Sequence, residues 1–352
     1  MGKITIRDVA REAGVSISLV SLVMNAKRDA EGNLDCNVNK DTARRIGEVA
    51  KRLGYRPNKA AASLRSGRFY TIGMITSDIA NQFFADIARY IENIAHNYHY
   101  MVLFGSSDEN AQKLDNIIDT FIGNGVEGLI VAPCAGSEEV LRKALDAGIP
   151  TVLLDRDIEG LDAGRVMLDN ERAGRMGVEH LYKNGYRRIE MISYSMGLSN
   201  IRKREEGYRR CMQANEMGEN VVIHHLRHDK LAKIEDIIRE ARQRRVEAFL
   251  FATNTLAGQG LSAIFRNGWR VPQDIAIACF DTNEAFDIYK TAIAYVRQPI
   301  EQFGTEALDL LIKGIEQRDK PGSCTRIVLT PEIVESLPEE ELRNAETAVA
   351  EA

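Results

Sequence analysis

The sequence predicts a small all-α helix-turn-helix unit with a linker helix, followed by a larger two-lobe α/β core with parallel sheets. Three observations carry this. Three short helical patterns, each with a capping residue, lie before residue 54. Residues 1–68 hold 14 Lys and Arg against 7 Asp and Glu, whereas the remainder holds 32 against 44. Beyond residue 69, apolar strand patterns alternate with amphipathic helices in two series, as in parallel sheets covered on both faces.

The first helix follows Thr5, a good N-cap, and Asp8 suits its first turn. Val9, Ala10 and Ala13 form an apolar stripe, and Gly14 permits the left-handed turn that ends the helix. Ser16 caps the second helix. Val20, Val23 and Met24 face back to the first, which leaves Ile17, Ser18, Ser21, Leu22 and Asn25 on the opposite face. A short helix presenting small and polar residues after a glycine turn has the layout of a DNA-reading helix-turn-helix. A plain capped helical hairpin is the bland alternative. A third helix is expected from Asn39 to Leu53, with Ala43, Ile46, Val49, Ala50 and Leu53 on one face and Gly54 as its stop. Pro57 then interrupts the chain, and Asn58 can cap a short helix from Lys59 to Arg65. An ordinary interdomain linker accounts for that composition equally well. The basic excess of this end suits phosphate contact, and the acidic remainder should be repelled by DNA.

In the core, candidate strands lie at 71–76, 100–105, 128–133 and 151–155, with helices at 82–97, 110–123 and 137–147 between them. A second series of strands follows at 188–193, 220–226, 248–253 and 275–281. In open parallel sheets ligands bind beyond the carboxyl ends of the strands. The polar residues there are Ser77 and Asp78, Asp155, Thr253 and Asn254, and Asp281, with Arg202 and Arg204 in the stretch GLSNIRKREEGY. Each alone reads as capping or turn chemistry; their convergence at strand ends reads as a site. The string Gly123 to Gly128 satisfies G-x-G-x-x-G but ends a helix and precedes a strand, the wrong context for a dinucleotide loop. His224 and His225 are adjacent on a strand and point to opposite faces, so with His228 they make a poor metal set. No metal and no cofactor is expected. The five cysteines are scattered without a CxxC, as in reduced thiols of a cytosolic protein. No apolar stretch approaches 18 residues and no signal peptide is seen, so a cytoplasmic location without membrane contact is expected.

With TIRDVAREAGVS, LVSLVMN, LGYRPNKAAASLRSGR and VRQP (296–299) in view, the chain resembles the LacI/GalR family of transcriptional regulators from about residue 3 to 334. The resemblance implies a periplasmic-binding-protein-like core whose lobes are linked by three crossings, with returns to the first lobe near 296 and to the second near 325. It implies domains at 1–57 (helix-turn-helix), 58–68 (hinge helix), 69–334 (effector-binding and dimerisation core) and 335–352 (tail). DNA contact is then expected from Thr5, Ile6, Arg7, Ser16, Ile17, Ser18, Ser21, Leu22, Asn25, Tyr55 and Asn58. Leu64 takes the position of the family's minor-groove wedge, with Ala61 as the small residue beside it. Effector contact is expected from Ser77, Phe83, Phe84, Asp155, Arg202, Arg204, Asn254 and Asp281.

Three departures stand out. Leu19 and Leu22 replace the Thr and Arg common in the family, and Leu offers a base only apolar contact. The loop from Ala26 to Asn37 is about eight residues longer than usual, which surface loops tolerate. Thr255 replaces the Asp of an Asn-Asp pair. The expected protein is a repressor, not an enzyme, acting as a homodimer on a pseudo-palindromic double-stranded operator. A small-molecule effector controls it, and carboxylates, an amide and guanidinium beside aromatic surface suit a sugar, while a nucleobase fits less well with two acidic residues. A solute-binding protein for sugar transport is the alternative that the two lobes alone would allow.

Overall fold

The computed structural model describes residues 4–26, 38–55, 68–195, 197–282, 286, 293–317 and 325–336. The expected hinge helix at 59–65, the bulk of the long loop and the tail beyond Ser336 lie outside the described residues. The chain divides into two units, Met1–Phe69 and Tyr70–Ala352.

In the first unit, helices α1 (Ile6–Ala13), α2 (Ile17–Asn25) and α3 (Lys40–Leu53) form as the capping residues dictate. The Asp8 carboxylate accepts from the Thr5 amide at 3.0 Å and from its hydroxyl at 2.7 Å. Ser16 Oγ accepts from the Leu19 amide at 3.2 Å, and Asn39 Oδ1 from the Asp41 amide at 2.9 Å. Gly14 ends α1 at φ +64°, a left-handed conformation that glycine adopts without penalty. Helices this short are marginal alone, so their shared core holds them. Val9, Val20 and Ile46 are fully buried at its centre. An ion pair at 3.0 Å from Arg52 to Glu12 ties α3 to α1.

Among the described residues the second unit holds two six-stranded sheets. In the first lobe, β1 (Thr71–Thr76), β2 (Met101–Ser106), β3 (Leu129–Val131), β4 (Thr151–Leu154), β5 (Gly164–Leu168) and β11 (Arg326–Leu329) lie in the order β11-β5-β4-β3-β1-β2, all parallel. The second lobe contains β6 (Ile189–Tyr194), β7 (Val222–Leu226), β8 (Ala248–Phe251), β9 (Ala276–Phe280), β10 (Ile293–Arg297) and β12 (Glu332–Ser336), in the order β12-β10-β9-β8-β6-β7. Its edge strand β12 runs antiparallel to β10, so this sheet is not wholly parallel as expected. The reason is the crossing that delivers it. β11 ends at the cleft between the lobes and two residues, Thr330 and Pro331, carry the chain across. β12 therefore starts at the cleft, where the parallel strands end.

Among the described residues three crossings link the lobes, at Asp169, at 298–299 and at 330–331. The second falls close to the position the resemblance implies. The third is about five residues later, because the strand at 326–329 still belongs to the first sheet. β5 was absent from the strands expected. Its GRVML pattern carries an arginine, yet Arg165 is buried, donating to Asp157 at 2.6 Å and to the Leu161 and Ala163 carbonyls at 2.6 and 2.7 Å. Cys134, Cys211 and Cys279 are free and buried. His224 and His225 diverge as adjacent strand residues must, binding Glu190 and Glu205 respectively. No described helix is long and apolar enough to cross a membrane.

Helices cover both sheets. Among them are α4 (Gln82–Ala95) and the pair α7 (Asn170–Lys183) and α8 (Ser199–Ala214), with α5 (Ala111–Gly123) and α6 (Glu138–Asp146) lying between. α7 and α8 touch backbone to backbone. A Cβ on Gly207 would lie 2.0 Å from the Glu171 carbonyl oxygen, and one on Gly174 would lie 2.1 Å from that of Arg204. Neither obstacle can rotate away. This approach sets the height of α8 over the sheet, and hence where Arg204 projects. Gly207→Ala should therefore force the helices apart and destabilise the core by about 1–3 kcal/mol. Denaturant unfolding checks it, and an unshifted midpoint would show the contact to be slack.

Candidate functional site

The first unit presents α2 as a surface. Ile17 and Leu22 are 45 % and 49 % exposed, unusual for apolar side chains of a nine-residue helix. Ser18 and Arg7 are also exposed, Ile6 and Ser21 partly so. Leu19 packs on the helical core, so of the two leucines only Leu22 stands fully outward. Tyr55 packs half-buried against the same core. The hydroxyls of Thr5 and Ser16 are engaged in capping. The side chain of Asn25 and the residues Asn58, Ala61 and Leu64 lie outside the described residues.

In the second unit the strand ends of both lobes converge on one cleft. It brings together seven of the eight expected effector residues: Ser77, Phe83, Phe84, Asp155, Arg204, Asn254 and Asp281. Arg202 is the exception. It is exposed and borders a separate groove, because two residues of helix rotate a side chain by about 200° relative to Arg204.

Arg204 is held in the cleft from three separate segments. Its Nε donates to Asn170 Oδ1 at 2.8 Å, its Nη1 to the Ala252 carbonyl at 2.7 Å and its Nη2 to Gln298 Oε1 at 3.4 Å. The guanidinium lies over the Phe280 ring at 3.9 Å. Gln298 then turns to Asp281, donating from Nε2 at 2.6 Å and from its amide at 3.2 Å. Asp155 and Asp281 both follow strands at positive φ, +65° and +57°. Aspartate tolerates that conformation better than most residues, and it turns each carboxylate off the strand end. Asp155 bonds across the cleft, accepting from Asn200 Nδ2 at 2.7 Å. Beside it the Asp157 amide donates to Ser199 Oγ, also across the cleft, at 2.7 Å.

Phe83 and Phe84 form an apolar floor, the Phe83 ring meeting Phe84 at 5.0 Å and Phe303 at 5.6 Å edge-on. Asn254 opens the helix after β8, with its Oδ1 accepting from the Thr255 amide at 2.8 Å. Sequence reasoning missed Glu109, Arg156, Asn200 and Gln298. Arg156 binds Glu109 bidentately at 2.9 and 2.8 Å and the Pro133 carbonyl at 2.8 Å. Three of the four had a usable signal. Arg156 directly follows Asp155, Asn200 sits in the GLSNIRK stretch and Gln298 in VRQP.

Burial sets the electrostatics. It pushes the Asp155 carboxyl up against the pull of Arg204 and Arg156, and lowers the Arg204 pKa. It raises Asp281 to about 6, although the Gln298 hydrogen bonds and Arg204 oppose the rise.

The same two-part organisation appears in proteins already known. Residues 5–58 match the model of bacterial regulatory proteins of the lacI family, and residues 178–335 match a periplasmic binding protein-like domain. The catabolite control protein A of Priestia megaterium is 30 % identical over 329 residues, covering 92 % of this chain and 96 % of the relative. The chain belongs to the LacI family. It is a helix-turn-helix transcriptional regulator of that family. A LacI-family regulator from Silicibacter pomeroyi is 26 % identical, covers 94 % of this chain and 98 % of its own, and superposes with a TM-score of 0.74. The Lac repressor dimer bound to operator and an anti-inducer, 21 % identical over 95 % of this chain and 98 % of its own, shares the LacI fold with a TM-score of 0.80.

In this LacI-family core, Asp281 makes stability depend on pH. Its folded pKa of about 6 exceeds the ordinary 3.8, so between those values the folded chain binds a proton that the unfolded chain releases. Its contribution to stability is therefore least above pH 6 and grows as pH falls toward 4. The difference in unfolding free energy between wild type and Asp281→Asn should vary from pH 4 to 6 and be level above 7. A difference level throughout would contradict the raised pKa.

Proposed function

We propose that this regulator is a repressor. It binds a pseudo-palindromic operator as a homodimer, and a sugar held between its core lobes controls its operator affinity. The observation that carries the effector reading is the convergence of Asp155, Arg204 and Asp281, from both lobes, on one partly apolar cleft. Polar groups placed this way over an aromatic floor suit a molecule whose hydroxyls each need donor and acceptor partners. The DNA reading is supported by the basic excess of residues 1–68 and the outward face of α2, with Ile17, Ser18 and Leu22 toward the major groove. Asn58, Ala61 and Leu64 of the hinge extend it into the minor groove. The division 1–57, 58–68, 69–334 and 335–352 follows from the same reading.

A dimer is supported by the edge of the first sheet. Met101 and Phe104 of the edge strand β2 are 58 % and 43 % exposed and Tyr98 just before it is 41 % exposed, an apolar edge that a second copy would cover. The basic N-terminal unit disfavours a transport solute-binding protein, and the relatives matched are regulators rather than enzymes. The ligand acts by binding one lobe arrangement better than another, because only differential affinity shifts the balance.

Two variants separate the two ends of this switch. Leu64→Ala should weaken specific operator binding at least tenfold while ligand binding to the core stays unchanged. Arg204→Ala should leave operator binding in place and remove the response to whichever sugar a thermal-shift screen identifies. Operator gel shifts and ligand titrations on both proteins decide it. Equal operator affinity in the first, or an unchanged titration in the second, would reject the corresponding role.

A further inference from the structure

We infer that the cleft selects a polyhydroxy effector without negative charge, and that Asp155 imposes this selection. The inference rests on the effector reading above and narrows it. Four carboxylates, Asp78, Glu109, Asp155 and Asp281, line the cleft against two guanidinium groups, Arg156 and Arg204.

Both cations are already largely engaged by groups of the protein itself. Arg156 is neutralised by the bidentate pair with Glu109, and its Nη1 also reaches the Pro133 carbonyl. Arg204 has three of its five N–H donors on Asn170, Ala252 and Gln298, with Phe280 against its face. Asp155 differs. It is 4 % exposed, and although Oδ2 is bonded to Asn200, Oδ1 is buried without a hydrogen-bond partner. The neighbouring Nε of Arg156 forms an ion pair with Oδ2 at 3.8 Å but is equally buried and makes no hydrogen bond.

Two neighbouring residues of the cleft wall thus hold one unmet acceptor and one unmet donor. A hydroxyl satisfies both, since it donates and accepts. A phosphate dianion or a carboxylate brings no proton for Asp155 and meets its charge in a poorly screened site.

The test compares matched pairs on the full chain by calorimetry and thermal shift. The pairs are ribose with ribose 5-phosphate, glucose with glucose 6-phosphate, and glucose with glucuronate. At least one neutral member should bind, with its anionic counterpart at least tenfold weaker. Asp155→Asn should reduce that ratio at least threefold, and Asp78→Asn, at a partly exposed position, should reduce it by less. An anionic member binding as tightly as its neutral counterpart overturns the charge selection and leaves the cleft as an effector site. A ratio unchanged in Asp155→Asn overturns the role of that residue. If none of these binds, the pairs are drawn from the sugar that the thermal-shift screen identifies, and binding by no sugar in that screen overturns the effector reading itself.

Discussion

Charge buried between two lobes is the constraint on which the core depends. A guanidinium or carboxylate removed from water costs several kcal/mol unless its partners are placed to meet it. Arg204 meets that requirement by gathering groups from separate segments: Asn170 at the start of α7, the carbonyl of Ala252 after β8, and Gln298 after β10. Gln298 passes the linkage to Asp281 after β9. The ends of β8 and β10, and through Gln298 that of β9, are thus linked to one side chain. The glycine contact between α7 and α8 fixes the backbone from which that side chain projects.

The same arrangement couples the lobes. The first lobe offers Asp155 and Asp157, and the second meets them with Asn200 and Ser199 from the start of α8. A ligand that takes the buried oxygen of Asp155 acts on a carboxylate already engaged across the cleft. Binding and lobe geometry therefore share an atom group, which is the physical condition for a ligand to favour one arrangement over another. The three chain crossings, each only one or two residues long, limit how the lobes can respond.

Much of this was legible in the sequence. Thr5, Ser16 and Asn39 mark helix starts because capping is local chemistry, and the apolar runs of the core mark strands because burial on both faces favours consecutive apolar residues. The strand end after each run also located Asp155, Asn254 and Asp281. What the sequence hides is long-range. β5 escaped because Arg165 looks exposed until the carbonyls of Leu161 and Ala163 are folded around it. The antiparallel β12 follows from a crossing, which no local pattern records. Arg202 and Arg204 look equivalent as a basic pair, and only the helix that carries them separates one into the cleft and the other onto the surface. The Glu109–Arg156 pair joins residues 47 apart in sequence.

The central claim is that Arg204 and the two cleft aspartates are mutually dependent. Denaturant unfolding of Arg204→Met, Asp281→Asn and the double variant measures that directly as a double-mutant cycle. Removing the guanidinium alone takes the cation nearest Asp281 and one of the two cations acting on Asp155, and leaves Asn170 and Gln298 without their donor, which should cost about 3–5 kcal/mol. In the double variant the loss should be smaller than the sum of the single losses by at least about 1 kcal/mol. Additive losses, or an Arg204→Met variant as stable as the wild type, would contradict the account.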